Sequence, residues 1–152
     1  MSISELKKAT FAHLTEVIEQ KIQTAKDEIE SARSSIVEDT KSSAGDKYET
    51  NREMIQADMS RNEMNFAKAQ ELKDELRRIN INATHEQVAI GSMVSTPKGN
   101  YFISIGLGVV NLGKEKVFCI SEASPIGELL MGKKEGDSIS FRGEEIPIKK
   151  IA

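Results

Sequence analysis

The chain has 152 residues, of which 30% are charged and only 5% aromatic, with no Trp and a single Cys. This length fits one domain or two small ones, and so few aromatic residues exclude one large core. The single Cys excludes an internal disulfide framework, and the net charge of −3, which is −3 over residues 1–80 and zero over residues 81–152, excludes a broadly basic nucleic-acid binder.

The first 80 residues predict two long helices. They contain no Pro and only one Gly, Gly45, as helices of that length require. Residues at heptad-like spacing, all apolar except Asn62, form two series there. They are Leu14, Ile18, Ile22, Ala25, Ile29, Ala32 and Ile36, and then Ile55, Met59, Asn62, Phe66, Ala69, Leu72, Leu76 and Ile79. The polar stretch 39–47 between the series predicts the tip of an antiparallel coiled-coil hairpin over residues 1–80. Each helix would be about 50 Å long at a rise of about 1.5 Å per residue.

The apolar stripe of so polar a hairpin must be buried somewhere. The short connection at the tip favours pairing within one chain over a coiled coil between chains, so we expect a monomer.

Residues 81–87 are predicted to link the hairpin to a small α+β domain over residues 88–152. In chain order, the patterns predict a strand at 88–94, a turn at 97–100, strands at 101–107 and 116–120, a short helix from Pro125 and a final hairpin of strands 138–141 and 146–151. Ser124 is suited to cap that helix, Pro125 to begin it and Gly132 to end it. Ile126, Leu129 and Leu130 would form its apolar face.

No enzyme signature is present, because the chain has no phosphate-binding Gly loop, no Gly-x-Ser-x-Gly and no His-Glu-x-x-His. Gly106-Leu107-Gly108 is predicted to be a bulge or bend rather than a nucleotide site. His13 and His85 are expected at the surface, and Cys119 is expected to be a small buried hydrophobe. No apolar run approaches the roughly 18 residues of a membrane span, so we expect a soluble, cytoplasmic protein with no membrane partner.

The tip of the hairpin is the candidate site for metal chemistry. Glu38, Asp39, Asp46 and Glu49 fall within 12 residues of one another, and Asp39 and Asp46 approach where the two helices meet. Paired carboxylates can hold a divalent cation together with other oxygen ligands. The alternative is that these acids cap helix ends. Asp46 and Glu49 fit that role, whereas Glu38 and Asp39 lie at a helix C-terminus, where the helix dipole disfavours them.

Two segments resemble the bacterial Gre-factor family of transcript cleavage factors. The first is residues 124–137, Ser-Pro-Ile-Gly-Glu-Leu-Leu-Met-Gly-Lys-Lys-Glu-Gly-Asp, which precede the final hairpin as in that family. The second is the tip, where Asp39, Lys41, Ala44, Tyr48 and Arg52-Glu53 match the family's pattern. The resemblance extends over nearly the whole chain and implies a coiled-coil hairpin followed by a domain of FKBP-like fold.

The resemblance also implies a function. It implies an elongation factor that is not itself an enzyme, binds RNA polymerase through Ser124, Pro125 and Ile126, and inserts its hairpin into the secondary channel. The tip acids would then share the second Mg²⁺ of the polymerase active site, and the 3′ end of backtracked RNA would be cleaved. Asp39 matches the family's first tip acid, and Asp39 with Asp46 would hold the metal only in the complex, with no cofactor expected in the isolated protein. A family-level association with DNA is also implied, although no basic face is evident.

The tip departs from the family in two respects. Ser42 stands where the family has its second tip acid, and about two extra residues lengthen the tip near Gly45-Asp46-Lys47. Asp46 or Glu49 could replace the missing acid. Two further hypotheses therefore stay open, which are a non-cleaving Gre-like regulator or inhibitor in the same channel and a coiled-coil structural or adaptor protein.

Overall fold

The structure is a computed structural model that describes the backbone of residues 1–41 and 45–152 and the side chains of residues 1–36 and 51–152. Its elements in chain order are α1 (Ile3–Lys41), α2 (Gly45–Arg77), β1 (Met93–Thr96), β2 (Gly99–Ile103), β3 (Gly108–Leu112), β4 (Glu115–Ile120), α3 (Pro125–Leu130), β5 (Ser138–Phe141), β6 (Glu144–Pro147) and β7 (Lys150–Ile151). They form two compact units, one of residues 16–73 and one of residues 1–15 with 74–152. The predicted fold class is confirmed, with two long N-terminal helices and then a mostly antiparallel sheet domain with one short helix.

In the unit of residues 16–73, α1 and α2 run antiparallel. Residues 24–35 of α1 share a groove with residues 55–62 of α2, and residues 20–28 share the next groove with residues 65–72. At the end of this unit, Lys73 Nζ lies 2.7 Å from Glu19 Oε1. The predicted heptad positions are buried or half-buried, in contrast to the mostly exposed positions between them, so the stripe is covered within one chain.

The start of α1 is capped by its own side chains. The Glu5 backbone N–H donates to Ser2 Oγ at 3.1 Å, and Glu5 Oε2 accepts from the Ser2 backbone N–H at 3.4 Å. This reciprocal pair is a capping box, which satisfies two backbone donors that the first helical turn leaves free.

The sheet has the strand order β3-β4-β2-β1-β7, in which only β2 and β4 are parallel, and β5 and β6 form a separate hairpin. One face of the sheet packs with α3 and the β5–β6 hairpin into a core. The buried members of that core are Val88, Val94, Tyr101, Ile103, Leu130, Ile139, Ile146, Ile148 and Ile151. Residues on the opposite face, Met93, Phe102, Val117 and Cys119, are also buried, so the sheet is covered on both faces, and the prediction for Cys119 is confirmed.

The predicted strand at 88–94 is wrong over its first half, because β1 begins only at Met93. Residues 88–91 instead form a loop that lies against the segment after α3. The Val88 N–H donates to the Lys133 carbonyl, and the Val88 carbonyl accepts from the Gly132 N–H, both at 2.8 Å. Gly91 then turns the chain with a φ of +92°, and a Cβ there would lie 3.1 Å from Ile79. This left-handed turn separates the apolar run into a loop and a strand.

The remaining strand predictions need three corrections. The predicted turn at 97–100 is shorter, because β2 already begins at Gly99, and β2 ends at Ile103 rather than at Leu107. A strand that was not predicted, β3, follows the irregular segment 104–107. The predicted strand 146–151 is two strands, since β6 pairs with β5 whereas β7 pairs with β1.

Candidate functional site

The start of α3 is a closed, capped turn, as predicted from Ser124 and Pro125. The Ser124 side chain accepts the N–H of Gly127 at 3.1 Å and donates its hydroxyl proton to the Ser121 carbonyl at 2.8 Å. Pro125 occupies the first helical turn, where its missing N–H costs no hydrogen bond. These contacts fix the direction in which α3 leaves the sheet.

This turn requires glycine at position 127 because it leaves no space for a side chain. A Cβ at that position would lie 2.2 Å from the Ser121 carbonyl oxygen and 2.7 Å from Ser124 Oγ. No real Cβ approaches an oxygen so closely, so any side chain would force the capped turn open. The Ser-Pro-Ile-Gly sequence is therefore a structural unit in which the first and fourth residues are both constrained.

The three residues that the sequence singles out for binding differ in exposure. Pro125 is exposed, Ser124 is half-buried in its cap, and Ile126 packs partly against the core beside Leu130, which is fully buried. The expectation that Leu129 belongs to the apolar face is wrong, because this side chain is 38% exposed. Pro125 and Leu129 are four residues apart, so they share the outer face of the helix. The surface to consider is therefore Pro125 with Leu129, and helical spacing alone could have indicated it.

The segment after α3 contacts the last strand, β7. Gly132 ends the helix with a φ of +81°, and the Asp137 side chain accepts the Lys134 N–H at 2.8 Å. Glu135 Oε1 accepts the Ile151 N–H at 3.0 Å. The Gly-Lys-Lys-Glu-Gly-Asp sequence thus links the end of α3 to β7 through these hydrogen bonds.

A second polar cluster joins the start of α1 to the segment that follows α2. Lys7 is 2% exposed, and its Nζ donates to the Ala83 carbonyl at 2.9 Å. Burial lowers the pKa of Lys7. His85 is half-buried, with a buried Nε2 that makes no hydrogen bond, and its pKa is lowered by burial and then by the nearby Lys7 charge. Both histidines were expected at the surface, and each is half-buried there.

The structure describes only the backbone of the four tip acids. Glu38 and Asp39 belong to the last turn of α1, and Asp46 and Glu49 to the first turns of α2. Their side chains lie outside the described residues, as does Ser42, so the expected metal ligands Asp39 and Asp46 stay a prediction. None of the helices in the described part of the chain combines the length and apolar character needed to cross a bilayer.

Comparison with known proteins gives little further information. No family model matches the chain, and no curated protein matches it. The solved structures that match include "Structure of the transcription factor Gfh1", which is 20% identical over 90% of this chain and 92% of that chain, with a TM-score of 0.35. A TM-score this low does not establish a common arrangement of the whole chain.

Proposed function

We propose that the protein is a Gre-like accessory factor that docks on RNA polymerase through the start of α3 and places its helical hairpin in the secondary channel. The observation that carries this proposal is the capped turn at Ser124-Pro125-Ile126-Gly127. The sequence that resembles the family's docking segment forms a turn held by two side-chain hydrogen bonds, with Pro125 exposed at its surface. A turn fixed in this way presents the outer face of α3 without an ordering cost on binding.

The hairpin supports the same proposal. α1 has 39 residues, which is about 58 Å of helix at a rise of about 1.5 Å per residue. Its apolar stripe is covered by α2 of the same chain, and small residues such as Ala25, Ala32 and Ala69 are buried along it. Two helices that need no further partner are suited to enter a narrow pore.

The chemistry proposed for the tip is the delivery of carboxylates. Asp39 and Asp46, with Glu38 and Glu49 beside them in sequence, are oxygen ligands of the kind that Mg²⁺ prefers. In the proposed complex they share the second Mg²⁺ of the polymerase, which activates and positions a water for hydrolysis of the RNA 3′ end. The protein is then a stimulator of the polymerase's own nuclease activity and not itself an enzyme.

A second candidate is a regulator that occupies the channel without stimulating cleavage. Ser42 favours it, because this residue stands where the family has its second tip acid. A hydroxyl is a neutral and weaker ligand than a carboxylate, so a tip that relies on Asp39 alone would bind Mg²⁺ poorly.

A structural coiled-coil protein is the third candidate and is less favoured by the structure. An intermolecular coiled coil would leave the heptad positions of one chain exposed until a second chain covers them. Here Ile18, Ile22 and Ala25 are already buried within one chain.

Binding and cleavage assays with the cognate polymerase separate the three candidates. The first predicts 3′ cleavage of RNA in stalled, backtracked complexes with Mg²⁺, reduced in Asp39→Asn and Asp46→Asn while binding is retained. The second predicts binding without cleavage, displacement of a true cleavage factor, and gain of cleavage in Ser42→Glu. Absence of any binding by the wild-type protein would contradict both and favour the third.

A further inference from the structure

Strand β3 leaves one edge of the sheet open. Among the described residues it is the last strand of the five-stranded sheet and pairs only with β4. Every second residue of β3 therefore directs its backbone N–H and C=O away from the sheet. Proteins commonly protect such edges with charged side chains or Pro, but the five residues Gly-Val-Val-Asn-Leu of β3 contain neither.

An apolar row of the core continues onto this open edge. Pairing between strands aligns Ile151, Val94, Tyr101, Phe118 and Val109 across one face of the sheet. Tyr101 is covered and stacks on Phe118 with ring centroids 5.1 Å apart. Phe118 is half-buried, and Val109 at the end of the row is 48% exposed. The apolar row thus extends from the buried core to β3. There Val109 and Phe118 form a partly exposed apolar surface that no described residue covers.

One cation lies beside this apolar surface. Lys116 is exposed, and its Nζ lies 5.0 Å from the centroid of the Phe118 ring. It makes no ion pair among the described residues. Asn111 of β3 is its direct neighbour across the strands. Gly99 leaves space for this arrangement, because a Cβ there would lie 3.0 Å from the Phe118 ring. We name Val109, Asn111, Lys116 and Phe118 the β3 ledge.

We propose that the β3 ledge binds an extended acidic segment of a partner protein, which joins the sheet as a strand beside β3. Its backbone would pair with the open edge of β3, as in other cases of strand addition. Side chains two residues apart on a strand point to the same face. One apolar side chain of the segment therefore covers Val109 and Phe118, and an acid two residues away reaches Lys116.

The ledge fits a peptide better than a nucleic acid. A nucleic acid has no peptide backbone whose regularly spaced N–H and C=O groups could pair with β3, and binding through its phosphates relies on several cations rather than on one lysine. The proposal does not depend on polymerase binding, because β3 and α3 are separate elements of the unit formed by residues 1–15 and 74–152.

The test uses the whole chain and two short, dye-labelled peptides, one that repeats Val-Ser-Glu-Ser (the Val–Glu peptide) and one that repeats Val-Ser-Lys-Ser, so that Val and the charged residue share one strand face. Fluorescence anisotropy should show the Val–Glu peptide binding at least about tenfold more tightly, or about 1.4 kcal/mol. Val109→Asp should weaken its binding at least about tenfold. Lys116→Glu should reverse the preference between the two peptides, whereas the same charge reversal at the exposed Lys150 of β7 should not. Bound peptide should slow hydrogen exchange at amides of β3.

The following results would overturn the proposal. They are no binding of either peptide, equal binding of both, or unchanged exchange at β3 amides. A concentration-dependent dimer that Val109→Asp abolishes, in a protein that binds neither peptide, would assign the edge to a second copy of this chain instead. The Lys116→Glu variant can reverse the preference between the two peptides only if it is folded. A reversed preference therefore shows a change in peptide recognition rather than a loss of structure.

Discussion

A Cβ atom at Gly127 would lie 2.2 Å from the carbonyl oxygen of Ser121. The same carbonyl accepts the Ser124 hydroxyl proton at 2.8 Å, so the capped turn and the requirement for glycine have one cause. The chain folds back on itself so tightly before α3 that the fourth residue of Ser-Pro-Ile-Gly has no room for a side chain.

Gly127→Ala should therefore destabilise the protein. The methyl group must displace the Ser121 carbonyl or the Ser124 hydroxyl, and we expect a loss of about 2–4 kcal/mol in the free energy of unfolding. Urea denaturation followed by circular dichroism measures it. Gly106→Ala is the matched control, because a Cβ at Gly106 meets nothing within 4 Å and its φ is not positive. Equal stability of the two variants would contradict the account of the turn.

Ser124→Ala should remove the cap of α3 and lower the free energy of unfolding by about 1 kcal/mol. Ser124→Asp should recover only part of this loss, because a carboxylate accepts the Gly127 N–H but cannot donate to the Ser121 carbonyl. Ser140→Ala on β5 is the control, since this exposed hydroxyl makes no hydrogen bond in the described structure. An unchanged midpoint of Ser124→Ala in the same denaturation experiment would show that the cap does not stabilise the fold.

The pKa of His85 predicts a loss of stability at acid pH. Burial and then Lys7 lower this pKa in the folded protein below its usual 6.5, so the unfolded chain binds the proton more tightly. The contribution of the neutral imidazole is complete above pH 6.5 and is lost as pH falls from there to the lower folded-state value. His85→Gln should flatten this part of the stability–pH curve, as should Lys7→Met to a smaller extent. Unfolding curves at a series of pH values would refute the prediction if wild type and His85→Gln fell in parallel.

Cys119 should be inert in the folded protein. It is 1% exposed, and burial raises the pKa of its thiol to about 12, so little reactive thiolate is present at neutral pH. A colourimetric thiol reagent should therefore detect no thiol in native protein and one thiol per chain in concentrated guanidinium chloride. Rapid reaction of native protein would mean that β4 opens locally.

Sequence patterns predict the structure correctly where it depends on interactions between residues that are close in sequence. The heptad positions of α1 and α2 fix which face is buried, and Ser124 with Pro125 fixes where α3 begins. The β5–β6 hairpin was also recognisable, and it turns at Arg142-Gly143, where both residues have positive φ.

Other features depend on contacts that are distant in sequence. Only Val110 of β3 is fully buried, so the strand shows no clear alternation of apolar and polar residues. β7 has two residues and exists because it pairs with β1, more than fifty positions earlier. His85 is half-buried through its position near Gly91 and Lys7, which no local pattern indicates. Leu129 is apolar and was expected on the apolar face of α3, although in so short a helix Ile126 and Leu130 already fill the inner face.

The central claim is that the outer face of α3 docks on RNA polymerase, and equilibrium binding of labelled protein to the cognate core enzyme tests it most directly. Wild type should bind, and Leu129→Asp should bind at least about tenfold more weakly, a loss of about 1.4 kcal/mol. Ser140→Asp, which adds the same charge at an exposed position of β5, should bind like wild type. Equal binding of all three proteins, or no binding of the wild type, would contradict the claim.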